Sequence, residues 1–350
     1  MNAFNIGSRR VGKGQACFII AELSANHKQD LDIAIKTIKA AKEAGADAIK
    51  LQTYTPDTIT LNSHKEYFRL QHGTIWDGMY LYDLYQEAYT PWEWHEKLFK
   101  VAEEEGLICF SSPFDASAVD LLEKLNAPAY KIASFEVMDI PLIRYTAARK
   151  KPVILSTGVA ELGDIQLALQ TCRAEGNDEL GLLKCTSAYP APLELSNLRT
   201  IPNLEQTFDV VPGLSDHTMG ATGPVVAVSL GAKIIEKHFI LDKAIGGPDA
   251  AFSMDPAEFG EMVKAVRDAE KALGQVDYSL SERTRASRAI TGRSLFVVKD
   301  LKKGEVFTAE HVRSIRPGYG LEPKYLEQVL GKKATQDIEK GEPLKWTMVQ

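Results

Sequence analysis

Two histidines stand out by position. His217 follows the apolar run Val210–Ser215, and His238 lies near the end of the next run, Lys233–Ile240. If those runs are adjacent strands, both imidazoles reach one point. A pair of imidazoles suits manganese, cobalt, zinc or iron better than calcium. The alternative is two structural histidines held by hydrogen bonds. Asp216 and Glu236 stand beside them as carboxylates able to fix the imidazole tautomers. Polar residues gather at the ends of the other apolar runs as well. Glu22 closes the first. Lys50 and Gln52 share one face of the second, because side chains two apart in a strand point the same way. Ser111 and Ser112 close the third. Lys131 and Ser134 belong to the fourth, with Glu136 beyond, and Ser156 closes the fifth. Lys184 lies in the sixth, with Ser187 and Tyr189 past it, and Ser215 ends the seventh.

A lysine inside an apolar strand is costly unless its charge is paired. One reading pairs Lys50, Lys131, Lys184 and Lys237 with Glu22, Glu136 or Glu236. The other makes ammonium groups, hydroxyls and loop amides a cradle for a phosphorylated anion. Several lysines and serines at successive run ends favour the anion. Asp249, in GGPDA, either contacts substrate or starts a turn. The aromatic stretch TIWDGMYLYDLY reads as a packed lid or as a sugar-stacking surface. Gly12-Lys-Gly14 and Gly246-Gly247 are faint phosphate signals, and no G-x-x-x-x-G-K-[ST] loop is present.

These side chains need a scaffold that brings run ends together. Strands are predicted over Ala16–Leu23, Ala48–Tyr54, Leu107–Phe114, Ala129–Ser134, Pro152–Gly158, Gly181–Thr186, Val210–Ser215 and Lys233–Ile240. Helical periods predict helices over Leu31–Ala44, Trp92–Glu105, Leu162–Ala174, Ala221–Leu230 and Pro256–Leu273, most of them ending near a glycine. Eight strands with helices between them predict a (β/α)8 TIM barrel, whose reactive residues sit where strands end. A doubly wound sheet is the alternative, but no G-x-G-x-x-G follows the first strand. The connection Thr55–Thr90 is long and would overhang the barrel mouth. After Gly274 the pattern changes. Gln275–Arg288 reads as a polar linker, and Ala289–Gln350 as a small second unit with a strand at Ser294–Val298 and a short helix at Lys324–Leu330.

Composition sets the outer limits. The chain has 350 residues, 45% of them hydrophobic and 25% charged, which fits a globular protein and excludes collagen-like and disordered classes. A net charge of -6 argues against a nucleic-acid surface built on overall basicity. Four cysteines are too few for a disulfide framework. Cys17, Cys109 and Cys185 sit in apolar runs and read as buried thiols of a reducing compartment. MNAFNIGSRRVGKGQ lacks the apolar core of a secretory signal, and no apolar run approaches the ~18 residues of a membrane span. The expectation is a cytoplasmic protein with neither nucleic-acid nor membrane partners.

The runs IAELSANH, IKLQTYTPDT, CFSSPF, YKIAS, STG, KCTSAYP, GLSDHT, IEKHF and GGPDAAFS, in this order and spacing, resemble the phosphoenolpyruvate-dependent sialic acid synthase family. SLFVVKDLKKGE and RPGYGL resemble its C-terminal antifreeze-like (SAF) domain. The resemblance covers nearly the whole chain. Within the family, ELSANH and the loop TIWDGMYLYDLYQEAYTPWEWH look most like the pseudaminic acid branch. The N-acetylneuraminate branch carries a first motif closer to E-I-G-x-N-H, and a His after G-P-D where this chain has Ala250.

The resemblance implies a barrel catalytic domain over residues 1–274, a linker over 275–288 and a SAF domain over 289–350. It implies condensation of phosphoenolpyruvate with 2,4-diacetamido-2,4,6-trideoxy-L-altrose and water, giving pseudaminic acid and phosphate by C–O cleavage. N-acetylneuraminate or legionaminic acid synthesis is the alternative. His217 and His238 match the family's ligands for a divalent metal, usually manganese, with magnesium or cobalt as alternatives. Lys50, Ser111 or Ser112, Lys131, Ser134, Ser156, Ser187 and Ser215 fall where the family holds phosphoenolpyruvate. Glu22, Gln52, Tyr189 and Asp249 fall on the sugar side, with Glu22 placed to activate water. Arg316 matches an arginine that the family's second domain carries to the sugar of a partner subunit, which implies a domain-swapped homodimer. Two rival classes stand beside this one: a Schiff-base aldolase using Lys131 or Lys184, and a non-enzymatic glycan-binding module.

Overall fold

Strands buried on both faces read as continuous apolar runs rather than as alternation, and eight such strands close here into a barrel. The computed structural model describes residues 3–71, 73 and 75–350. The chain divides after Gly274 into two units. The first begins with an antiparallel hairpin, β1 (Ala3–Ile6) and β2 (Arg9–Gly12). The barrel strands follow: β3 (Phe18–Glu22), β4 (Ala48–Thr53), β5 (Ile108–Pro113), β6 (Tyr130–Ile132), β7 (Val153–Ser156), β8 (Leu180–Cys185), β9 (Val211–Asp216) and β10 (Ile234–His238). All neighbours pair in parallel, and β10 closes the ring by pairing with both β9 and β3. The open-sheet alternative is excluded.

Helices α1 (Leu31–Glu43), α4 (His95–Glu104), α5 (Ala116–Lys124), α6 (Ile140–Ala147), α7 (Leu162–Ala174), α8 (Thr200–Phe208), α9 (Thr222–Ser229) and α10 (Pro256–Leu273) follow the strands. Two short ones, α2 (Pro56–Ile59) and α3 (Leu81–Ala88), lie in the long connection after β4. Several starts are fixed by side chains that accept from exposed backbone N–H groups. Asp30, Asp115, Asp139 and Asp255 cap α1, α5, α6 and α10 in this way, and Pro256 occupies the first turn of α10. Inside the barrel, Phe18, Ile20, Ala48, Phe110, Ile154, Leu183, Val211 and Ile234 form one buried cluster. Phe4, Ile6 and Val11 of the hairpin join it. The hairpin therefore plugs the end opposite the functional mouth.

Some of this was hidden in the sequence. The hairpin strands have four residues each, and Gly14 is a turn glycine with φ of 77°. Gly246 and Gly247 also adopt positive φ, at 69° and 121°. These glycines make turns, and no phosphate role is needed to explain them. Helices α6 and α8 each carry a proline near the start, which blurs the helical period. The segment expected as a linker, 275–288, contains the start of another helix, α11 (Glu282–Thr291), capped by Ser281. No residue of α11 is buried, so it has no apolar stripe to betray its period. The second unit holds β11 (Ser294–Val297) paired antiparallel with β12 (Val312–Ile315), and the short helix α12 (Leu326–Val329). Its own core contains Leu295, Val297, Leu301, Phe307, Val312 and Val329.

Candidate active site

Strand register decides which polar side chains meet. Glu22 pairs across the sheet with both Lys50 and His238, and Gln52 pairs with Ser112. Their inward faces open into a cavity of about 280 Å³ at the C-terminal end of the barrel. Lys50 forms a buried ion pair with Glu22, donates to Ser112 Oγ at 3.1 Å and lies 3.9 Å from Glu236. Lys131 Nζ donates to Glu236 Oε1 at 2.9 Å, and Ser215 Oγ donates to the same oxygen at 3.2 Å. These groups form a floor of two ammonium and two carboxyl groups, none more than 5% exposed. Ser134 Oγ accepts from the Gly158 N–H at 3.1 Å. Ser187 lies beside Gly158, its Oγ 3.9 Å from Cys185 Sγ. A side chain at position 158 would collide with Ser187 and crowd Ser134, so only glycine lets the loop approach these hydroxyls.

The histidines face each other with ring centroids 5.3 Å apart. His217 Nδ1 lies 3.0 Å from the Thr186 carbonyl, so its N–H is used there and Nε2 is left as an electron-pair donor. His238 Nδ1 is 3.6 Å from Asp249 Oδ2, beyond hydrogen-bond reach. Asp249 accepts from Ser24, whose hydroxyl in turn accepts from Gln52 Nε2 at 3.0 Å. Tyr189 packs its ring 4.5 Å from His217 and 5.1 Å from Phe252.

Burial dominates the electrostatics. It pushes the Glu22 carboxyl up to about 7, against the pull of Lys50. It pushes Glu136, which also lines the cavity, up to about 7 despite Lys131. Burial alone would lower the Lys50 ammonium, but Glu22 and Glu236 outweigh it and raise it. The His238 imidazole is held well below its ordinary value by burial and by His217 and the nearby lysines. Glu22 Oε1, Glu236 Oε2, Ser156 Oγ and His238 Nδ1 are buried with no hydrogen-bond partner. Glu136 Oε2 is a fifth; such orphans are rare in folded proteins, and five around one cavity indicate a site built for a polar ligand.

Among the described residues, no three His, Cys, Asp or Glu side chains are arranged to hold a metal. The two imidazoles, one with a free Nε2 and one with an orphaned Nδ1, fit an ion whose remaining positions are filled by substrate and water.

Three sequence readings need correction. Ser111 faces away from the cavity, because its neighbours Phe110 and Ser112 face in. Its hydroxyl bonds Thr53 Oγ1 at 2.6 Å, and Thr53 bonds His95 at 2.9 Å. Lys184 likewise points outward and donates to the Cys185 carbonyl at 2.7 Å, which removes it as a cavity nucleophile. Lys237 does not pair inside the barrel. It lies behind the wall and pairs with Asp216 at 2.5 Å, so Asp216 is taken and does not orient His217. Arg316 stands in the second unit, exposed, before the cis Arg316–Pro317 bond. The sequence reading also missed Cys185 and Phe252 as cavity residues, while Trp76, from the aromatic stretch read as a lid or stacking surface, does line the cavity. Cys185 shares its strand face with the inward Leu183, so strand parity would have found it.

Fold and site together define a barrel enzyme for an anionic substrate. Residues 37–278 match the NeuB family and residues 292–350 match the SAF domain; the chain belongs to the NeuB family. It is 52% identical over 328 residues to the pseudaminic acid synthase of Campylobacter jejuni, covering 94% of this chain and 95% of that one. It is 48% identical to the pseudaminic acid synthase of Helicobacter pylori, covering 93% and 96%. The crystal structure of N-acetylneuraminic acid synthetase from Leptospira borgpetersenii, in complex with citrate, superposes with a TM-score of 0.73. It is 28% identical, with 82% of this chain and 95% of that chain covered.

The Lys237–Asp216 pair locks together the residues that precede the two histidines. Lys237→Met leaves the Asp216 carboxylate buried without its charge partner. We expect a loss of about 3–5 kcal/mol in denaturant unfolding, with Lys237→Arg retaining more stability. An unchanged midpoint in the Met variant would contradict a stabilising role for the pair.

Proposed function

We propose that this chain is a pseudaminic acid synthase. It condenses phosphoenolpyruvate with 2,4-diacetamido-2,4,6-trideoxy-L-altrose and water, and releases phosphate. The observation that carries the reading is the buried Lys50–Lys131 floor, with its hydroxyls, directly below the paired histidines. The identity to two pseudaminic acid synthases over nearly the full chain supports the choice of acceptor.

Phosphoenolpyruvate combines a carboxylate with a phosphate. Lys50, Lys131 and the hydroxyls of Ser112, Ser134, Ser156, Ser187 and Ser215 offer cations and donors for both in a partly desolvated site. Gln52, Tyr189 and Asp249 would bind the sugar at the mouth. His217 and His238 would hold a divalent metal, manganese in this reading, with magnesium or cobalt as alternatives. Such an ion supplies Lewis-acid polarisation of the acceptor's carbonyl oxygen.

In the reaction, C3 of the enol attacks acceptor C1, and a C–C bond forms as the carbonyl oxygen takes up a proton. The positive character left at C2 is met by water, whose proton passes to Glu22. With burial raising its pKa to about 7, Glu22 is suited to act as a base near neutral pH. The resulting tetrahedral centre loses phosphate by C–O cleavage. The carboxylates of Glu22 and Glu236 lie where they can stabilise the cationic centre as it forms.

The aldolase alternative is weaker. A Schiff base needs a neutral amine, whereas Lys131 is in a closed ion pair with Glu236 and Lys184 is outside the cavity. No helix among the described residues is long and apolar enough to cross a membrane. We place the enzyme in the cytoplasm, where phosphoenolpyruvate is made. We also propose a domain-swapped homodimer in which Arg316 serves the sugar's N-acetyl group across subunits.

Phosphate release should be measured with phosphoenolpyruvate and each of three acceptors: the altrose derivative, N-acetylmannosamine and the 2,4-diacetamido-6-deoxy sugar that leads to legionaminic acid. The altrose derivative should give the highest kcat/KM. Chelation should abolish turnover and manganese should restore it. In water labelled with heavy oxygen, the label should enter the sugar acid; label in the phosphate would refute C–O cleavage. A higher kcat/KM with another acceptor would reassign the substrate. Mixing Arg316→Ala subunits with His217→Ala subunits should recover activity above either parent, and no recovery would refute shared sites.

A further inference from the structure

The two ends of the cavity differ in chemistry. The floor carries Lys50, Lys131, Glu22 and Glu236, whereas part of the upper wall is apolar. Ile59 of α2, Leu70, then Leu81, Leu84 and Ala88 of α3, and Phe114 just past β5 line it. None of these six side chains carries a hydrogen-bonding atom. Strand geometry separates this wall from the floor. Lys50, Gln52 and Tyr54 are successive steps on one face of the same chain. At the usual strand rise, Tyr54 stands about 13 Å further along than Lys50. Tyr54 packs edge-on against Phe114 at 5.1 Å and Tyr85 of α3 at 5.6 Å, which ties α3 to the strand ends. The covering segment has its own backbone ties, with the Leu70 N–H donating to the Met79 carbonyl at 2.9 Å. Trp76 Nε1 donates to the Pro248 carbonyl at 3.0 Å, spanning to the loop after β10.

We propose that this apolar wall is the subsite for the far end of the acceptor, and that it selects a terminal methyl group over a hydroxymethyl group. The inference rests on the condensation reading above. The new bond forms at acceptor C1, so C1 lies beside the enol near the floor. The open chain then runs toward the mouth, and C6 ends furthest from the lysines. A hydroxyl set against these six side chains would be stripped of water with no hydrogen bond returned by them, although Tyr54 and Tyr85 also line the cavity. Gln52, Ser24 and Asp249, joined by hydrogen bonds, and Tyr189 also line the cavity and match the hydroxyl and amide groups along the middle of the chain.

The test compares kcat/KM for the 6-deoxy acceptor with that for a counterpart differing only by a hydroxyl at C6. An apolar pocket discriminates modestly against an added hydroxyl, so the wild type should prefer the deoxy acceptor by about 10- to 100-fold. Leu70→Asn and Leu84→Asn should each bring that ratio toward one. Because the readout is a ratio on one preparation, a loss of folded enzyme cancels. A wild-type ratio near one, or an unchanged ratio in both variants, overturns the subsite while leaving the condensation intact. Failure of the wild type to release phosphate with either acceptor overturns the condensation reading and this inference with it.

Discussion

Lys50, Lys131, Glu22 and Glu236 are removed from water together at the floor of a closed barrel, and the remainder of the site is arranged around them. Isolated, each would be expensive to bury; paired, they are tolerable. The pairs leave Glu22 Oε1, Glu236 Oε2 and Ser156 Oγ without partners, so the floor is charge-matched but not saturated. An anion with several acceptor oxygens can take the free bonding capacity of the ammonium groups. Burial lifts Glu22 to about 7 against the pull of Lys50, so this carboxyl can exchange a proton near neutral pH. In a low-dielectric floor these ammonium groups bind a phosphorylated enol more strongly than an exposed lysine patch would.

The barrel wall does different work on its two faces. Inward, β9 and β10 present Ser215 and Glu236 to the floor and end at the two histidines. Outward, Asp216 and Lys237, paired in register, form a buried ion pair behind the same strands. A one-residue slip would exchange these sets and send the metal-type and anion-type groups into the helix layer. The hairpin residues Phe4, Ile6 and Val11 close the opposite end with apolar side chains. The cavity therefore opens at one end only, where β4 hands over to α2, α3 and the covering segment.

Much of this was legible in the sequence because parallel strands and capped helices leave strong local signals. The eight apolar runs gave eight strands, and α7 and α10 begin and end as their periods indicate. Lys50 and Gln52 were correctly read as sharing a face. What failed depended on facts that one strand does not carry. The orientation of Ser111, Lys184 and Lys237 depends on which parity faces the axis, and Cys185 was passed over for the same reason. Asp249, whose Oδ2 lies 3.6 Å from His238 Nδ1, comes from a loop after the strand; neighbours in sequence suggested Asp216 and Glu236. The apolar subsite escaped because its six side chains are ordinary core residues until tertiary structure collects them on one wall.

The central claim is that the floor lysines hold the phosphorylated enol, and calorimetric titration of phosphoenolpyruvate without acceptor tests it most directly. Lys50→Met and Lys131→Met should each weaken binding by at least about tenfold, since each removes one member of a buried charge pair. Lys184→Met, on the outer face, should leave affinity unchanged. Equal affinity in wild type and both floor variants would contradict the account.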